Sequence, residues 1–314
     1  ESKTGPRDKA LLGQVGDVDL RLLRVFKAVA DCGGMAAAEL ELNIAMSTIS
    51  RHVKDLEQRL GLVLCRRGRA GFALTPEGER VLAATDALLS ATDAFRGRLH
   101  DIHQRLGGEL HVALFEKTVS NPAARIADAV GRFRALAPTV TLHLHVGTLG
   151  MIERGVIDGT YHLGVIPEHR RSDSLAYDAL FDETMRLYAG PGHPWFAGPD
   201  NRGGPRRDWQ ALRTQPLAGL GYHSPNLELT HARRLERAAT ASDQEGVATL
   251  VLSGAFVGFL PDHYAEPFVR AGRLRAVSPR VLNYECRFAC IRRHAPAPLR
   301  VAQAFRECLL QAHA

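Results

Sequence analysis

The chain has 314 residues, of which 45% are hydrophobic and 24% are charged, a balance that excludes a disordered or collagen-like protein. At about 150 residues per domain, this length predicts two or three domains. No stretch approaches the ~18 consecutive apolar residues of a membrane span, and residues 1–16 contain no apolar core of signal-peptide length. Five cysteines are too few for a disulfide framework, so we expect a reducing, cytoplasmic location.

Basic residues are concentrated in one short part of the chain. Forty lysines and arginines against 34 acidic residues give a net charge of +6. Residues 43–71 hold two acidic residues and six basic ones, namely Arg51, Lys54, Arg59, Arg66, Arg67 and Arg69. Such a cluster is either a footprint for nucleic-acid phosphates or an ordinary solvated face.

Three helices are predicted first along the chain. Apolar residues recur at helical spacing in 19–30, Gly33 and Gly34 end that helix, and an alanine-rich helix follows over 35–42. The third helix, 47–60, has one apolar face and a polar outer face formed by Ser47, Thr48, Ser50, Arg51 and Lys54. Helix, short turn and polar-faced helix form the helix-turn-helix pattern, whose second helix enters the DNA major groove.

A basic hairpin is predicted directly after the third helix. Two short apolar segments within residues 62–74 flank a glycine-turned tip that carries Arg66, Arg67 and Arg69. A hairpin in this position is a wing that reaches DNA phosphates or the minor groove. The wing makes the helix-turn-helix interpretation more specific.

A long helix is predicted next, over residues 75–106. It begins with Thr75 as the N-cap and Pro76 at the first helical position. Two seven-residue series run along it: Val81, Leu88, Phe95 and Ile102, and Thr85, Thr92, Leu99 and Leu106. A sustained heptad seam indicates a coiled-coil dimer, and the alternative is a helix packed on its own domain. We expect dimerisation.

At this point the chain resembles a known family. The motifs LRVFKAVAD, Ser50-Arg51, LEQRLG, Leu64, Arg66-Arg67 and LTPEG are similar to those of the LysR-type transcriptional regulators. The resemblance implies a winged helix-turn-helix, a linker-helix dimer, a ligand-sensing carboxyl-terminal domain and usually a dimer of dimers. The chain departs from the family in two stretches. Ala36 stands for a threonine in the first; in the second, Met46 stands for a glutamine and Ala45, a poor N-cap, for a serine. We therefore expect an atypical operator.

The last two hundred residues predict two α/β lobes. Strands alternate with helices over 109–166, the pattern of a parallel sheet with covering helices. The pattern repeats over 217–260, with helices predicted near 227–238 and 244–252. Two strands, 175–190 and 280–292, are predicted to cross between the lobes, and 297–311 is a closing helix. The resulting clamshell is similar to the effector domain of the same family, and the run VLSGAFVGFLPDHY matches a family motif there.

A ligand is expected at the carboxyl ends of strands, near helix starts. The candidate residues at such places are Thr118, Ser120, Asn121, Thr148, Tyr222 and Ser242. Pro122 is predicted to begin a helix whose amides could bind a carboxylate or phosphate, and Ser242 begins a capping-box pattern. Each candidate is either a ligand contact or a plain helix cap. The family resemblance favours a contact for Thr118, Ser120 and Thr148, and the polar surroundings favour a small organic anion.

Enzyme and metal alternatives have little support in the sequence. It contains no HExxH, P-loop or GxSxG motif, so we expect neither an enzyme nor a cofactor. His143 and His145 share one face of a predicted strand with no third ligand nearby in sequence, so a structural role is favoured over a metal site. Cys286 and Cys290 share a strand face but lack zinc spacing, and a redox switch is the less favoured alternative.

These observations predict a mixed fold with three parts. An α-rich winged helix-turn-helix domain occupies 17–75, a linker and dimerisation helix 76–106, and a two-lobed, periplasmic-binding-protein-like α/β effector domain 107–314. Within the effector domain, lobe I covers about 107–166 and 280–314, and lobe II covers about 167–279. The predicted function is a bacterial transcriptional regulator that binds an operator in double-stranded DNA and responds to a small-molecule effector. The alternatives are an architectural DNA-binding protein that senses nothing, and a ligand-binding module or hydrolase with an accessory winged helix.

Overall fold

The computed structural model describes residues 15–68, 71–102, 106–197 and 207–314, without the side chains of 67, 68, 71 and 100–102. The chain divides between Thr92 and Asp93 into two compact units, each with its own hydrophobic core. Among the described residues no helix is long and apolar enough to cross a bilayer. The tip of the predicted wing, with Arg69, lies outside the described residues.

The first unit contains the predicted helix-turn-helix and hairpin. Its elements are α1 (Asp17–Asp31), α2 (Met35–Leu42), α3 (Met46–Leu60), β1 (Cys65–Gly68), β2 (Gly71–Leu74) and the first part of α4 (Pro76–Ile102). The two strands pair antiparallel, with Cys65 opposite Leu74. The apolar faces of α1 and α3 meet in a core around Phe26 and Leu56, which are fully buried. The prediction of a winged helix-turn-helix is confirmed.

The start of α4 is fixed by Thr75, as the N-cap pattern predicts. The Thr75 hydroxyl accepts a hydrogen bond from the Gly78 amide (2.9 Å) and donates one to the Val63 carbonyl (2.6 Å). A Cβ atom at Gly78 would overlap the backbone carbonyl oxygen of Leu64. Glycine at this position therefore allows α4 to approach the segment before the wing.

The heptad residues of α4 have two different environments. Val81 and Leu88 pack against the core of the first unit. Phe95 and Leu99, which belong to the second unit, are 62% and 43% exposed. The first half of the seam therefore packs on its own domain, as the alternative interpretation predicted. In the second half Phe95 and Leu99 are exposed, whereas Leu106 packs against the core of the second unit. The side chain of Ile102 lies outside the described residues.

The second unit is built on one nine-stranded mixed sheet. Its strands are β3 (Gly108–Phe115), β4 (Val140–Gly147), β5 (Leu163–Pro167), β6 (Leu175–Ala189), β7 (Leu217–Leu220), β8 (Arg237–Ala241), β9 (Val257–Pro261), β10 (Arg275–Ala276) and β11 (Asn283–Arg293). Its helices are α5 (Ile126–Leu136), α6 (Leu149–Asp158), α7 (Trp209–Leu212), α8 (Pro225–Ala232), α9 (Gln244–Leu252), α10 (Asp262–Arg270) and α11 (Arg300–His313).

Two long antiparallel strands join the two lobes. The strand order is β4-β3-β5-β11-β6-β9-β7-β8, with β10 also paired to β6. Strands β6 and β11 pair along their length, from Asn283 opposite Arg186 to Arg293 opposite Leu175. The parallel strands β4, β3 and β5 lie on one side of this pair, and β9, β7 and β8 lie on the other. The predicted two-lobed α/β fold is confirmed.

Two local predictions in the second unit are wrong. Helix α5 begins at Ile126 rather than at Pro122, because a 3-10 turn over Thr118–Ser120 and a turn at Asn121 come first. The helix predicted over 227–238 ends at Ala232, and β8 takes up the residues that follow. Pairing of β8 with β7 overrides the helical preference of its alanines.

Candidate nucleic-acid interface and ligand cleft

The outer face of α3 carries the predicted DNA contacts. Ser47, Arg51 and Lys54 are exposed, and Thr48 and Ser50 are half-buried beside them. Their spacing of three and four residues places them along one side of the helix. No carboxylate in the described part of the chain pairs with Arg51 or Lys54. This face is therefore polar, accessible and able to attract a polyanion.

The start of α3 is stabilised by a neighbouring helix. Ala45 makes no side-chain capping hydrogen bond, as its chemistry predicts. The Glu39 carboxylate of α2 instead accepts a hydrogen bond from the Met46 amide at 3.2 Å. This contact holds the turn between the two helices and fixes the start of the polar face.

Arg59 has a structural partner, unlike the other described cations of the basic cluster. Its Nε donates to Asp19 Oδ1 at 2.6 Å, and the Gly16 amide donates to Asp19 Oδ2 at 2.9 Å. Asp19 is 1% exposed, and these hydrogen bonds, that of Arg59 above all, hold its pKa below the ordinary value. Arg59 therefore fixes α3 against the start of α1, and the phosphate footprint predicted from the cluster is smaller by one cation.

The wing is attached to α3 by Glu57. Its Oε1 accepts hydrogen bonds from the amides of Leu64 (2.7 Å) and Cys65 (3.3 Å), which fixes the first strand of the hairpin. Arg66 on β1 is exposed. The side chain of Arg67 and the whole of Arg69 lie outside the described residues, so their phosphate contacts stay predictions.

The two lobes meet at the carboxyl end of β3. The Glu116 carboxylate accepts a hydrogen bond from the Gln244 amide, at the start of α9, over 2.8 Å. Lys117 Nζ lies 3.3 Å from Glu245 Oε2 and 4.9 Å from the centre of the Tyr264 ring. We call this region, bounded by Glu116, Lys117 and Gln244, the inter-lobe site.

A histidine links Ser120 to the second lobe at the same site. His263 Nδ1 lies 2.9 Å from Ser120 Oγ, and His263 Nε2 lies 2.8 Å from Glu183 Oε1 on β6. The His263 and Glu183 side chains are each 6% exposed, so the carboxylate fixes the orientation of the ring. Serine, histidine and carboxylate in this order also form the relay of serine hydrolases.

The charge of the inter-lobe site depends on Glu116. Burial raises the pKa of this carboxyl to about 7, the Asp243 carboxylate raises it too, and the Gln244 amide and Lys117 act in the opposite direction. Glu116 is therefore partly protonated near neutral pH. The site is less negative than its number of carboxylates suggests.

Three buried polar atoms around the site lack a hydrogen-bond partner among the described residues: Asn121 Nδ2, Tyr222 Oη and Gln244 Oε1. Asn121 directly follows Ser120, and Gln244 contacts Glu116. Burial and the nearby Glu116 carboxylate raise the pKa of Tyr222, whose phenol stays protonated. Buried polar groups without partners are rare, so a ligand or ordered water is expected to satisfy these three.

Four of the six predicted effector residues border this site. Thr118 and Asn121 are buried, Tyr222 is half-buried, and Ser120 contacts His263. The helix start that was expected to support them is absent, because α5 begins further along the chain.

The other two predicted effector residues are exposed caps or neighbours of caps. Thr148 precedes α6 but makes no side-chain capping hydrogen bond. The N-cap of α9 is Asp243, whose carboxylate accepts from the Gly246 amide at 2.7 Å, so the capping-box prediction for Ser242 is wrong. Their contact with a ligand stays a prediction.

The charged members of the inter-lobe site were missed by sequence reasoning. Glu116 and Lys117 directly follow a predicted strand, and the rule that places ligands at strand ends applies to them as much as to hydroxyl residues. Glu183 and His263 are 80 residues apart, and only the sheet topology brings them together. No local pattern in the sequence indicates that pair.

The cysteines of β11 have the environment of structural residues. Cys286 is 5% exposed and Cys290 is fully buried. Burial raises the pKa of both thiols, that of Cys290 to about 12. The thiolate needed for redox chemistry is therefore disfavoured at both positions.

Comparisons with known proteins agree with this architecture. Residues 20–79 match the family model of bacterial regulatory helix-turn-helix proteins of the lysR family, and residues 103–314 match the LysR substrate binding domain. The chain is 40% identical over 298 residues to the HTH-type transcriptional activator BauR of Pseudomonas aeruginosa, covering 95% of this chain and 96% of the relative. It is 26% identical over 305 residues to the SDS degradation transcriptional activation protein of a Pseudomonas species, with coverage of 93% and 95%.

Solved structures show the same fold. The chain superposes on the crystal structure of CbnR, a LysR family transcriptional regulator, with a TM-score of 0.63 at 22% identity, covering 94% of this chain and 99% of that chain. Full-length CbnR complexed with its target DNA gives a TM-score of 0.61 at 23% identity, with coverage of 93% and 99%. The protein belongs to the LysR family of bacterial transcriptional regulators.

Proposed function

We propose that this regulator binds an operator through α3 and the wing, as a dimer, and that a small organic anion at the inter-lobe site modulates DNA binding. Ser47, Thr48, Ser50 and Arg51 would contact base edges in the major groove. Lys54, Arg66, Arg67 and Arg69 would contact phosphates, which contribute affinity on any sequence. The two recognition helices of a dimer would contact half-sites about one helical turn, or a multiple of it, apart.

The observation that carries the effector proposal is the set of three unpartnered buried atoms around the inter-lobe site. The Asn121 amide and the Tyr222 hydroxyl are hydrogen-bond donors suited to a carboxylate, and Lys117 supplies a positive charge. Ligand contacts would compete with the Lys117–Glu245 and Ser120–His263 contacts that now join the lobes. Replacing these contacts would change the relative positions of the lobes, which is how a bound anion would alter the regulator.

A dimer is proposed through the second half of the linker helix. Phe95 and Leu99 are four residues apart, which is the offset between the two heptad series, and both side chains are exposed in the monomer. Burial of both side chains against a second copy would remove apolar surface from water. The family resemblance implies that two such dimers combine into a tetramer.

DNA binding is tested by fluorescence anisotropy with DNA from upstream of the regulator's own gene, against scrambled DNA, across a salt series. We expect a specificity ratio above about a thousand. Equal, steeply salt-dependent binding to both DNAs would instead support the architectural alternative, which the direct contacts between the lobes also favour. Absence of binding at low salt would overturn the DNA assignment.

Effector binding is tested by a thermal-shift screen of small organic acids on the full-length protein. A genuine effector is expected to raise Tm in the wild type and in Lys54→Met, but not in Lys117→Met. Equal shifts in all three proteins would place the ligand elsewhere. Release of product from an ester ligand, lost in Ser120→Ala, would favour the hydrolase alternative.

A further inference from the structure

Histidines from three chain segments meet on the β3–β4 pair, apart from the inter-lobe site. The register places His111 on β3 opposite His143 on β4, and Ala113 opposite His145. His162, just before β5, donates its amide to the His111 carbonyl at 2.9 Å. Because side chains alternate along a strand, His143 and His145 share a face, as predicted, and His111 lies beside them on it. The neighbouring strand therefore supplies, in His111, a potential ligand that the sequence around His143 and His145 lacks.

Three donor atoms of this cluster point to one small volume. Glu109 Oε2 lies 3.4 Å from His111 Nε2 and 3.9 Å from His143 Nε2, and one donor atom from each of the three residues lies within 4.8 Å of the other two. Imidazole and carboxylate ligands about 2.0–2.2 Å from a tetrahedral zinc ion are separated from one another by about 3.3 Å. The donor atoms are therefore within about 1.5 Å of the separations that a bound ion requires.

The two candidate histidine rings lie close together, and at least one of them must turn to bind an ion, because an imidazole lone pair lies in the plane of its ring. The His111 and His143 rings stack with their centroids 4.5 Å apart and their planes 9° from parallel. His111 Nδ1 lies 3.3 Å from His145 Nε2, and the His111 amide donates to His162 Nδ1 at 3.0 Å. If His111 Nδ1 carries the proton and donates it to His145, the lone pair of His111 Nε2 faces Glu109. Outer hydrogen bonds of this kind fix the tautomer and orientation of metal-bound histidines.

One potential ligand atom of the cluster is buried without a hydrogen bond. His143 Nε2 is shielded from solvent and has no hydrogen-bond partner among the described residues. The Glu109 and His143 side chains are 52% and 39% exposed, so an ion can enter from solvent.

We propose that Glu109, His111 and His143 bind one divalent first-row transition-metal ion of the zinc class, with His145 as the outer hydrogen-bond partner of His111. Two imidazoles and one carboxylate suit Zn²⁺, Co²⁺, Ni²⁺ or Cu²⁺ and not Mg²⁺ or Ca²⁺, which prefer all-oxygen sites. Three protein ligands would leave a fourth coordination position for water or another ligand. The site is separate from the inter-lobe site, because His111 and Glu109 lie five and seven residues before Glu116 along the chain.

The test is a metal titration of the full-length protein after treatment with EDTA. Co²⁺ is added while its visible absorption is recorded, and Zn²⁺ affinity is measured by competition with a chromophoric chelator. We expect one Co²⁺ per chain with the spectrum of a low-coordinate site, displaced by one Zn²⁺. Glu109→Gln and His143→Gln should each weaken Zn²⁺ binding by more than about tenfold, and His145→Ala by about tenfold.

The matched control is His231→Gln, which removes an exposed histidine of α8 and should leave the affinity unchanged. Glu109→Gln changes a half-exposed side chain, so it separates metal binding from folding, and circular dichroism melting verifies that each variant is folded. The proposal is overturned if no stoichiometric ion binds. It is equally overturned if folded Glu109→Gln and His143→Gln proteins bind Zn²⁺ as tightly as the wild type.

Discussion

Arg51 and Arg59 lie on the same helix, but they have different surroundings. Arg51 is exposed on the polar face of α3, whereas Arg59 donates to the buried carboxylate of Asp19. The sequence shows six basic residues in one stretch and gives no sign of this difference, because Asp19 is 40 positions away. Which cations remain for DNA is decided by tertiary contacts that no local pattern records.

This pair of arginines gives a matched test of the interface. Arg51→Ala should weaken operator binding by about 1–3 kcal/mol and relax sequence preference if Arg51 contacts a base. Arg59→Ala should instead lower Tm, because the Asp19 carboxylate loses its main hydrogen-bond donor. Anisotropy on operator and scrambled DNA, together with thermal melting, measures both effects.

Two results would contradict this assignment of the two arginines. If Arg51→Ala lost the same affinity on operator and scrambled DNA, its contact would be to phosphate only. If Arg59→Ala kept the wild-type Tm and weakened DNA binding, Arg59 would belong to the interface after all.

Glu116 gives a pH-dependent prediction at the same scale. Its pKa rises from 4.5 in the unfolded chain to about 7 in the folded protein, so between these values the folded state binds more protons than the unfolded state. The free energy of unfolding therefore falls as pH rises through this interval. Glu116→Gln should remove the free-energy cost of burying a charged carboxylate. The variant should therefore be more stable at pH 8, by about 1 kcal/mol after solvent screening, with little effect at pH 4.5.

Urea unfolding of wild type and Glu116→Gln at the two pH values measures the difference. Glutamine keeps the carbonyl oxygen that accepts from the Gln244 amide, so the hydrogen bond between the lobes is preserved. Equal stabilisation at both pH values would show that titration of Glu116 is not the cause.

At the scale of elements, the sequence predicts most helices and strands well. α2 and α9 begin and end where the pattern places them, since α2 follows the glycine break and α9 is bounded by polar residues. β8 was missed because three of its five residues are alanines, and its strand conformation depends on pairing with β7. The early start predicted for α5 failed because a proline permits a helix start without requiring one.

The contact between α4 and the segment before the wing depends on Gly78. A methyl group there would overlap the Leu64 carbonyl oxygen, which is backbone and cannot move aside cheaply. Gly78→Ala should therefore destabilise the first unit by about 1–3 kcal/mol. The control is Gly131→Ala in α5, where the added methyl meets nothing within 4 Å and should stabilise the helix by up to about 1 kcal/mol. Chemical unfolding of both variants measures the difference, and equal effects would refute the close-approach argument.

The linker helix gives the second prediction at this scale. Phe95→Asp should convert a dimer into monomer at micromolar concentration, because it places a charge in the proposed seam. Leu136→Asp is the control, since Leu136 is similarly exposed but lies at the end of α5. Sedimentation velocity measures the mass of each variant. An unchanged dimer in Phe95→Asp would place the interface elsewhere.

At the scale of the whole molecule, the proposed regulation requires that the inter-lobe site and the DNA-binding face influence each other. Coupling of two equilibria is reciprocal: if an anion changes operator affinity by a given factor, operator DNA must change the affinity for the anion by the same factor. The two measurements, anisotropy at saturating ligand and calorimetry of the ligand at saturating DNA, are independent. Couplings of about 5–150-fold are typical of allosteric proteins.

Lys117→Met separates this coupling from DNA binding itself. Lys117 contacts Glu245 and Tyr264 within the second unit, so its loss should abolish the effect of the ligand on operator affinity. The Ser120–His263 and Glu116–Gln244 contacts still join the lobes in this variant, so operator affinity without ligand should stay within about twofold of the wild type. A variant that lost both together would show that Lys117 sets the resting geometry of the lobes as well as the ligand contact. In the wild type, the anion and the operator DNA should change each other's affinity by the same factor, and in Lys117→Met neither affinity should change. This result would establish the inter-lobe site as the sensor. A ligand effect on DNA without the matching effect of DNA on the ligand would mean that the anion acts outside a binding equilibrium shared by the two sites.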